Sequence, residues 1–344
     1  MSHASERARL AARLVRARSR RRPHTLSHLI TSRCNARCAT CLWRDARSGE
    51  VDTETIAWLY RAAGRAGLVQ LVVWGGEPLL REDLGALLRV AKRSGLYVTL
   101  ITNGWLARER WSELRGSVDV LILSVDDVGS RHDEMRGLPG LYGRMDEFAL
   151  SLEGDRKAPT LLINTVLSRQ NEGVLPRVAD VARRWRAGLF FCPMETGVTS
   201  SFGRVESKAD LALGHDELRA AAAQARGLKD QGYPILATRA YLDLLERDPA
   251  LTSYRCRMPH SLITVESDGA VRDCRRHDQP LADIRELRSA GAPLSSIFEL
   301  PRRRRLLREA DAWTVCNNPD VIELSWLWDL RPSMLGKLAQ LAVR

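Results

Sequence analysis

The stretch TSRCNARCATCLW, residues 31–43, holds three of the chain's seven cysteines, at Cys34, Cys38 and Cys41. It follows an apolar, β-branched run, TLSHLIT (25–31), so the thiols fall just past the C-terminal end of a first strand, where a parallel barrel places its chemistry. A structural zinc site wants four closed ligands, usually as two pairs. Here the spacing is C-x3-C-x2-C, and no fourth cysteine or histidine follows nearby. A 4Fe–4S cube held by three thiolates leaves one iron with an open position, and open positions are where substrates and cofactors bind.

Outward from this loop, apolar β-branched runs alternate with helix-period segments. Strands are predicted at 25–31, 70–74, 97–102, 118–125, 160–167 and 188–193, with helices near 53–66, 81–94, 106–115, 142–153 and 174–186. Strands alternating with helices of this length imply a parallel sheet with right-handed crossovers. Six units are too few for an eight-stranded barrel and suit an open, curved one. The expected fold class is therefore α/β: a partial (β/α)6 TIM-type barrel followed by a small α+β domain.

The expected divisions are a basic arm at 1–24, the barrel at 25–205, a helical connection at 206–250, a cysteine-bearing domain at 251–320 and an amphipathic tail at 321–344. Within the connection, helices are expected at about 208–230 and 239–247. The cysteine-bearing region contains a hairpin signal, SLITVESDGAVRDC, turning at Ser267-Asp268-Gly269. The tail is rich in tryptophan and is expected to pack against the body.

Of the 344 residues 44% are hydrophobic, enough for a packed core and against wholesale disorder. No apolar run of about eighteen residues marks a transmembrane helix. The N-terminus has no apolar core or cleavage site of a secretory signal. A cytoplasmic, reducing location is expected, where clustered cysteines serve as metal ligands or reactive thiols rather than disulfides. The net charge of +11 is uneven: residues 1–22 carry eight arginines against one glutamate, and PRRRRLLRE (301–309) adds a second patch. Leu10, Leu14 and Ala17 fall on one face of a helix in the first stretch. Two readings stand: a helix attracting anionic lipid at the inner membrane surface, nucleic acid or a phosphorylated substrate, or a solvated, frayed terminus.

RCNARCATC resembles the cluster motif of the radical S-adenosylmethionine (SAM) superfamily. The resemblance implies that Cys34, Cys38 and Cys41 hold a 4Fe–4S cluster whose fourth iron chelates the amino and carboxylate groups of SAM. One departure is Thr40, where the superfamily usually has an aromatic residue near the adenine; whether Trp43 compensates is left open. Gly75-Gly76-Glu77-Pro78, after the second strand, reads locally as a strand-to-helix turn with Pro78 at the helix start. It also resembles the family's GGEP segment, whose carbonyls and Glu77 would accept from the SAM ammonium, small residues letting the ligand approach main chain. Asn103 ends the third strand, and Ser124 and Asp126 end the fourth. LSVDDVGSRHDEMRGLPGLY is similar to the S-x-D-G…H-D…R-G pattern of the subgroup with an auxiliary-cluster domain, with Asp127 in place of glycine. Asn164, in the fifth strand, matches a recurring polar position. These residues are the candidate SAM contacts; no residue is assigned as a catalytic acid or base.

Cys256, Cys274 and Cys316, with Gly269 five residues before Cys274, resemble the Twitch domain, a shortened relative of the SPASM domain that holds a second, auxiliary 4Fe–4S cluster. Three unrelated buried cysteines are the plainer alternative. The expected fourth cysteine is missing, since the segment after Cys316 reads N-N-P. An open iron that binds substrate is the preferred explanation. Completion by Asp273, His277 or Asp320, or by Cys192 reaching across, are the others.

The resemblance covers residues 25–320 and implies an enzyme: reductive cleavage of SAM to a 5′-deoxyadenosyl radical that abstracts hydrogen, with a flavodoxin or ferredoxin as electron donor. A small or lipid-linked anionic substrate, in a biosynthetic oxidation or bond-forming step, is the first reading, favoured by the basic surface. The alternative is maturation of a ribosomally made peptide by crosslink or thioether formation; no leader-binding domain of the usual size fits ahead of Thr25, which weighs against it. A reading from another class is a non-catalytic metal-binding protein associated with nucleic acid through its arginines, against which the GGEP segment argues. No stable nucleic-acid partner is expected.

Overall fold

In a computed structural model the structure describes residues 12–41, 49–194, 209–273, 279–309 and 319–334. Each predicted barrel strand forms: β1 (Thr25–Thr31), β2 (Gln70–Gly75), β3 (Tyr97–Thr102), β4 (Val120–Ser124), β5 (Thr160–Leu167) and β6 (Gly188–Pro193). Neighbours pair in parallel, β1 with β2 through to β5 with β6. Between them run α2 (Thr53–Arg65), α3 (Leu84–Arg93), α4 (Ala107–Leu114), α5 (Ser130–Arg136), α6 (Leu141–Ser151) and α7 (Leu175–Arg184). A helical stretch at residues 12–19, α1, precedes β1.

Side-chain alternation divides the sheet into two faces. Leu71 and Val73 of β2 and Leu161 and Ile163 of β5 join the leucines of α2 and α3 in one buried core. The opposite face carries Ser27, Gln70, Trp74, Ser124, Asn164 and Cys192, all half-buried. Polar pairs run across it: Trp74 Nε1 donates to Ser27 Oγ at 2.9 Å and Gln70 Nε2 to Thr99 Oγ1 at 3.2 Å. A face that is neither core nor fully solvated is the wall of a cleft.

The sequence pattern misses α5. Only His132 and Met135 of its seven residues are buried, too few to register as a period. It also gives no partner for the hairpin, which forms as β7 (Leu262–Val265) and β8 (Ala270–Arg272). β7 pairs in parallel with β1, Thr25 opposite Leu262 and His28 opposite Val265. β8 returns antiparallel, and β9 (Ala282–Asp283) closes the edge. Among the described residues this makes one open sheet of nine strands, in the order β6-β5-β4-β3-β2-β1-β7-β8-β9.

The remaining helices are α8 (His215–Asp230), α9 (Arg239–Arg247), α10 (Met258–Ser261), α11 (Ile284–Ser289), α12 (Pro301–Glu309) and α13 (Pro319–Trp328). Helix α13, at the start of the tail, packs with Ile322 and Trp326 buried, and residues 335–344 of the tail lie outside the described residues. The described part of the arm, residues 12–24, is anchored at the N-terminal end of the sheet, away from the thiols. Arg13 donates to the carbonyls of Gly95 at 2.6 Å and Leu68 at 3.1 Å, just before β3 and β2. Arg18 Nε donates to Trp328 O at 2.6 Å, its guanidinium 4.9 Å from that ring's centroid. No helix among the described residues is long and apolar enough to cross a membrane.

Candidate active site

The thiol loop leaves β1 at Thr31 and is seated on the turn after β2. Gly76 N donates to Thr31 O and Glu77 N to Arg33 O, both at 2.8 Å. This apposition explains the two glycines. A Cβ on Gly75 would stand 2.4 Å from Thr31 O, and one on Gly76 would stand 2.1 Å from Arg33 O. Of the two readings the sequence offers, relief of backbone crowding and approach of a ligand, the first is seen here: the missing side chains let one strand-end backbone close on another.

Glu77 is held at the same turn. It is fully buried, and both carboxylate oxygens already accept from protein. Oε1 takes Leu79 N at 2.9 Å and Thr102 Oγ1 at 2.7 Å, while Oε2 takes Asn103 N at 2.7 Å. Burial raises its pKa above the usual carboxylate value against these three donors. Asn103 passes the connection on: its Nδ2 donates to Asn35 Oδ1 at 2.8 Å, inside the cysteine loop, and its Oδ1 accepts from Trp105 N at 2.9 Å. Glu77 and Asn103 therefore brace the loop, Pro78 starts the short turn that Glu77 caps, and no polar atom of Asn103's side chain is left without protein.

Cys34 is exposed, Cys41 half-buried and Cys38 buried. Two of the sulfurs have N–H neighbours: Ala36 N lies 3.4 Å from Cys34 Sγ, and Arg136 Nη1 lies 3.7 Å from Cys38 Sγ. Although Cys34 is exposed as a residue, partial burial of its sulfur pushes the thiol up to about 11 in the metal-free chain. Among the described residues no three His, Cys, Asp or Glu side chains converge tightly enough to hold one metal ion.

Arg136, at the end of α5, has no role assigned from the sequence, and the structure sets it beside Cys38. Its Nη2 pairs with Asp126 Oδ2 at 2.7 Å. Asp126 is buried, its Oδ1 accepting from Val166 N at 3.1 Å and its own N–H donating to His132 Nδ1 at 3.1 Å. Burial, with the Arg136 charge beside it, holds His132 down to about 3, so this imidazole is neutral. Asp127, the departure from the family pattern, is also buried and pairs with Arg177 at 3.0 Å.

Ser124 and Asn164 lie directly opposite each other on β4 and β5 and face the cleft. The Cys192 thiol donates to Asn164 Oδ1 at 3.7 Å. Of the second cysteine set, Cys256 is buried in the core. Cys274, Cys316 and the alternative ligand His277 lie outside the described residues, as does Trp43. Asp273 is buried within electrostatic reach of Arg303, and Asp320 is exposed in the first turn of α13.

An open, largely parallel β/α sheet with a three-cysteine loop at its C-terminal strand ends is a partial barrel with its thiols at the mouth, where such folds place their chemistry. Residues 29–148 match the family model of the radical SAM superfamily. It is 34% identical over 172 residues to a PqqA peptide cyclase of Gluconobacter oxydans, covering 48% of each chain. It is 31% identical over 168 residues to an AdoMet-dependent heme synthase of Methanosarcina barkeri, covering 47% of each. The chain thus spans about half the length of the curated relatives it matches. The crystal structure of Streptococcus suis SuiB bound to precursor peptide SuiA superposes with a TM-score of 0.65 at 14% identity, over 90% of this chain and 74% of that one, a likeness of fold.

Proposed function

We propose that the chain is a radical SAM enzyme whose Cys34, Cys38 and Cys41 hold a 4Fe–4S cluster. The observation that carries this reading is the cysteine loop itself: three thiols at the strand C-termini, two with N–H donors on sulfur, the whole loop clamped to the β2 turn. Such donors suit thiolate ligands. A cube puts each thiolate on a different iron, so the thiols need not meet at one ion. When bound, the cluster supplies one electron to SAM, whose cleavage yields a 5′-deoxyadenosyl radical able to take hydrogen from a C–H bond.

The chain's part is to orient and to keep dry. Ser124 and Asn164, facing the cleft side by side, are the SAM contacts this geometry favours among the candidates. Gly75, Gly76, Glu77 and Asn103 hold the loop in place, and Asp126 aims Arg136. Cys256, Cys274 and Cys316 are proposed to hold an auxiliary cluster, with a flavodoxin or ferredoxin supplying electrons in a reducing, cytoplasmic setting.

Anaerobic reconstitution followed by SAM and a strong reductant tests the reading. About four irons per chain should depend on Cys34, Cys38 and Cys41, and 5′-deoxyadenosine should form. Bound zinc without nucleoside would refute it.

For the substrate, a small or lipid-linked anion remains one reading. A peptide is favoured by a specific observation: the relative from Gluconobacter oxydans is named for cyclising a peptide. Incubation with small peptides encoded beside the gene decides between them: loss of two hydrogens in the peptide mass supports maturation, and an unchanged mass favours the small molecule.

A further inference from the structure

We propose that Arg136 is a positioning residue that grips Cys38 and raises the reduction potential of the cluster, with Asp126 as the counter-charge that aims it. The inference rests on the cluster reading above and adds a role for residues not assigned to that task.

The grip is double. The side chain of Arg136 reaches Cys38 Sγ at 3.7 Å across 98 positions of sequence, and its carbonyl accepts from Arg37 N at 2.8 Å. Gly137 permits this approach: its φ is +63°, and a Cβ there would stand 3.1 Å from Arg37 Cβ. The R-G pair thus has a physical meaning. The arginine supplies both contacts, and the glycine turns the chain away without touching the loop.

The guanidinium has little freedom to leave. Its Nη2 is tied to Asp126 Oδ2 at 2.7 Å, and the polar atoms of Asp126 are themselves engaged. Oδ1 meets Val166 N, the backbone carbonyl meets Asn171 Nδ2 at 2.8 Å, and the backbone N–H meets His132. A guanidinium keeps its proton in proteins, and the Asp126 carboxylate at 2.7 Å balances its charge.

A half-buried cation donating to a ligand sulfur favours the state with more negative charge on the cluster, which is the reduced one. Asp126 opposes that effect from farther away. Removing the two partners should therefore move the potential in opposite directions, which a purely structural role would not do.

The experiment is a redox titration, monitored by electron paramagnetic resonance, of the reconstituted full chain without SAM, with iron counted in parallel. Arg136→Gln should lower the equilibrium constant for reduction at least tenfold, a fall of about 59 mV for a one-electron couple. Asp126→Asn should raise the potential, and Arg136→Lys, which keeps the charge, should recover most of the loss. An unchanged potential in iron-loaded Arg136→Gln, or shifts of the same sign in the glutamine and asparagine variants, overturns the proposal. If Arg136→Gln does not retain iron, Asp126→Asn decides alone: an upward shift supports the proposal, and none or a downward one overturns it. Failure of the wild-type chain to take up a cluster sinks the underlying reading, a result distinct from a loaded cluster indifferent to Arg136.

Discussion

Replacing Gly76 with alanine separates two explanations of the GGEP segment. The glycine serves either a ligand approaching main chain or the seating of the cysteine loop. An alanine Cβ would lie 2.1 Å from Arg33 O, 2.6 Å from Arg33 C and 2.9 Å from Ser32 O, where ordinary contact begins at 3.4 Å. All three atoms are backbone, so no side chain can swing aside. The loop that carries Cys34 must shift by more than an ångström. That shift breaks the hydrogen bonds from Gly76 N to Thr31 O and from Glu77 N to Arg33 O.

Overpacking of this kind costs about 1–3 kcal/mol, and two backbone hydrogen bonds add about 1 kcal/mol each. The expected loss is about 3–5 kcal/mol, a large share of the roughly 5–15 kcal/mol that holds a typical fold together. Urea unfolding of the reduced, iron-free chain should show a lower midpoint with an unchanged slope. Reconstituted protein should retain less iron. Gly143 is the control: it lies exposed in α6, and a Cβ there would meet nothing within 4 Å, so Gly143→Ala should stabilise by about 0.5–1 kcal/mol. Gly76→Ala with wild-type stability and iron content, and only weaker SAM binding, would return the glycine to the ligand.

Glu77→Gln places an amide N–H₂ against donors that now meet carboxylate oxygens; a loss of about 1–3 kcal/mol in unfolding is expected. Unchanged stability with weakened SAM affinity would restore the ligand role instead. His28 is fully buried, and burial together with the Arg81 charge holds it down to about 3. Its folded pKa lies below the unfolded value of 6.5, so the unfolded chain takes the proton first as pH falls. Stability is complete above pH 6.5 and declines below it, by up to about 1.4 kcal/mol per pH unit from this residue. The stability–pH curve of His28→Gln should be flatter by that slope; parallel curves refute the assignment. Arg18→Ala removes the bond to Trp328 O and the contact with its ring, at about 1–2 kcal/mol. Trypsin should then cut within the arm sooner than in wild type, and an equal rate would mean the anchor carries no weight.

The six barrel strands were readable because each is a run of apolar or β-branched residues that ends at a turn, a purely local pattern. The parallel partnership of β7 with β1 was not. LITV announces a strand, but no local pattern records which strand will lie beside it. The same boundary divides the site. Three cysteines at C-x3-C-x2-C carry their chemistry in their spacing, so Cys34, Cys38 and Cys41 stand out in the sequence alone. Glu77, Asn103 and Asp126 are polar groups at neighbouring strand ends, and a linear reading offers each of them to the ligand. In three dimensions those ends lie side by side, and an unpaired buried carboxylate is too costly to wait for a ligand. Glu77 therefore takes Thr102 and the backbone of Asn103, and Asp126 takes Arg136. By the same logic Arg136, although it is the arginine of the R-G pair, could not be given its partner from its own surroundings. SRHDEMR carries no sign of a sulfur 98 positions earlier, and only the folding of α5 under the cysteine loop gives its charge something to act on.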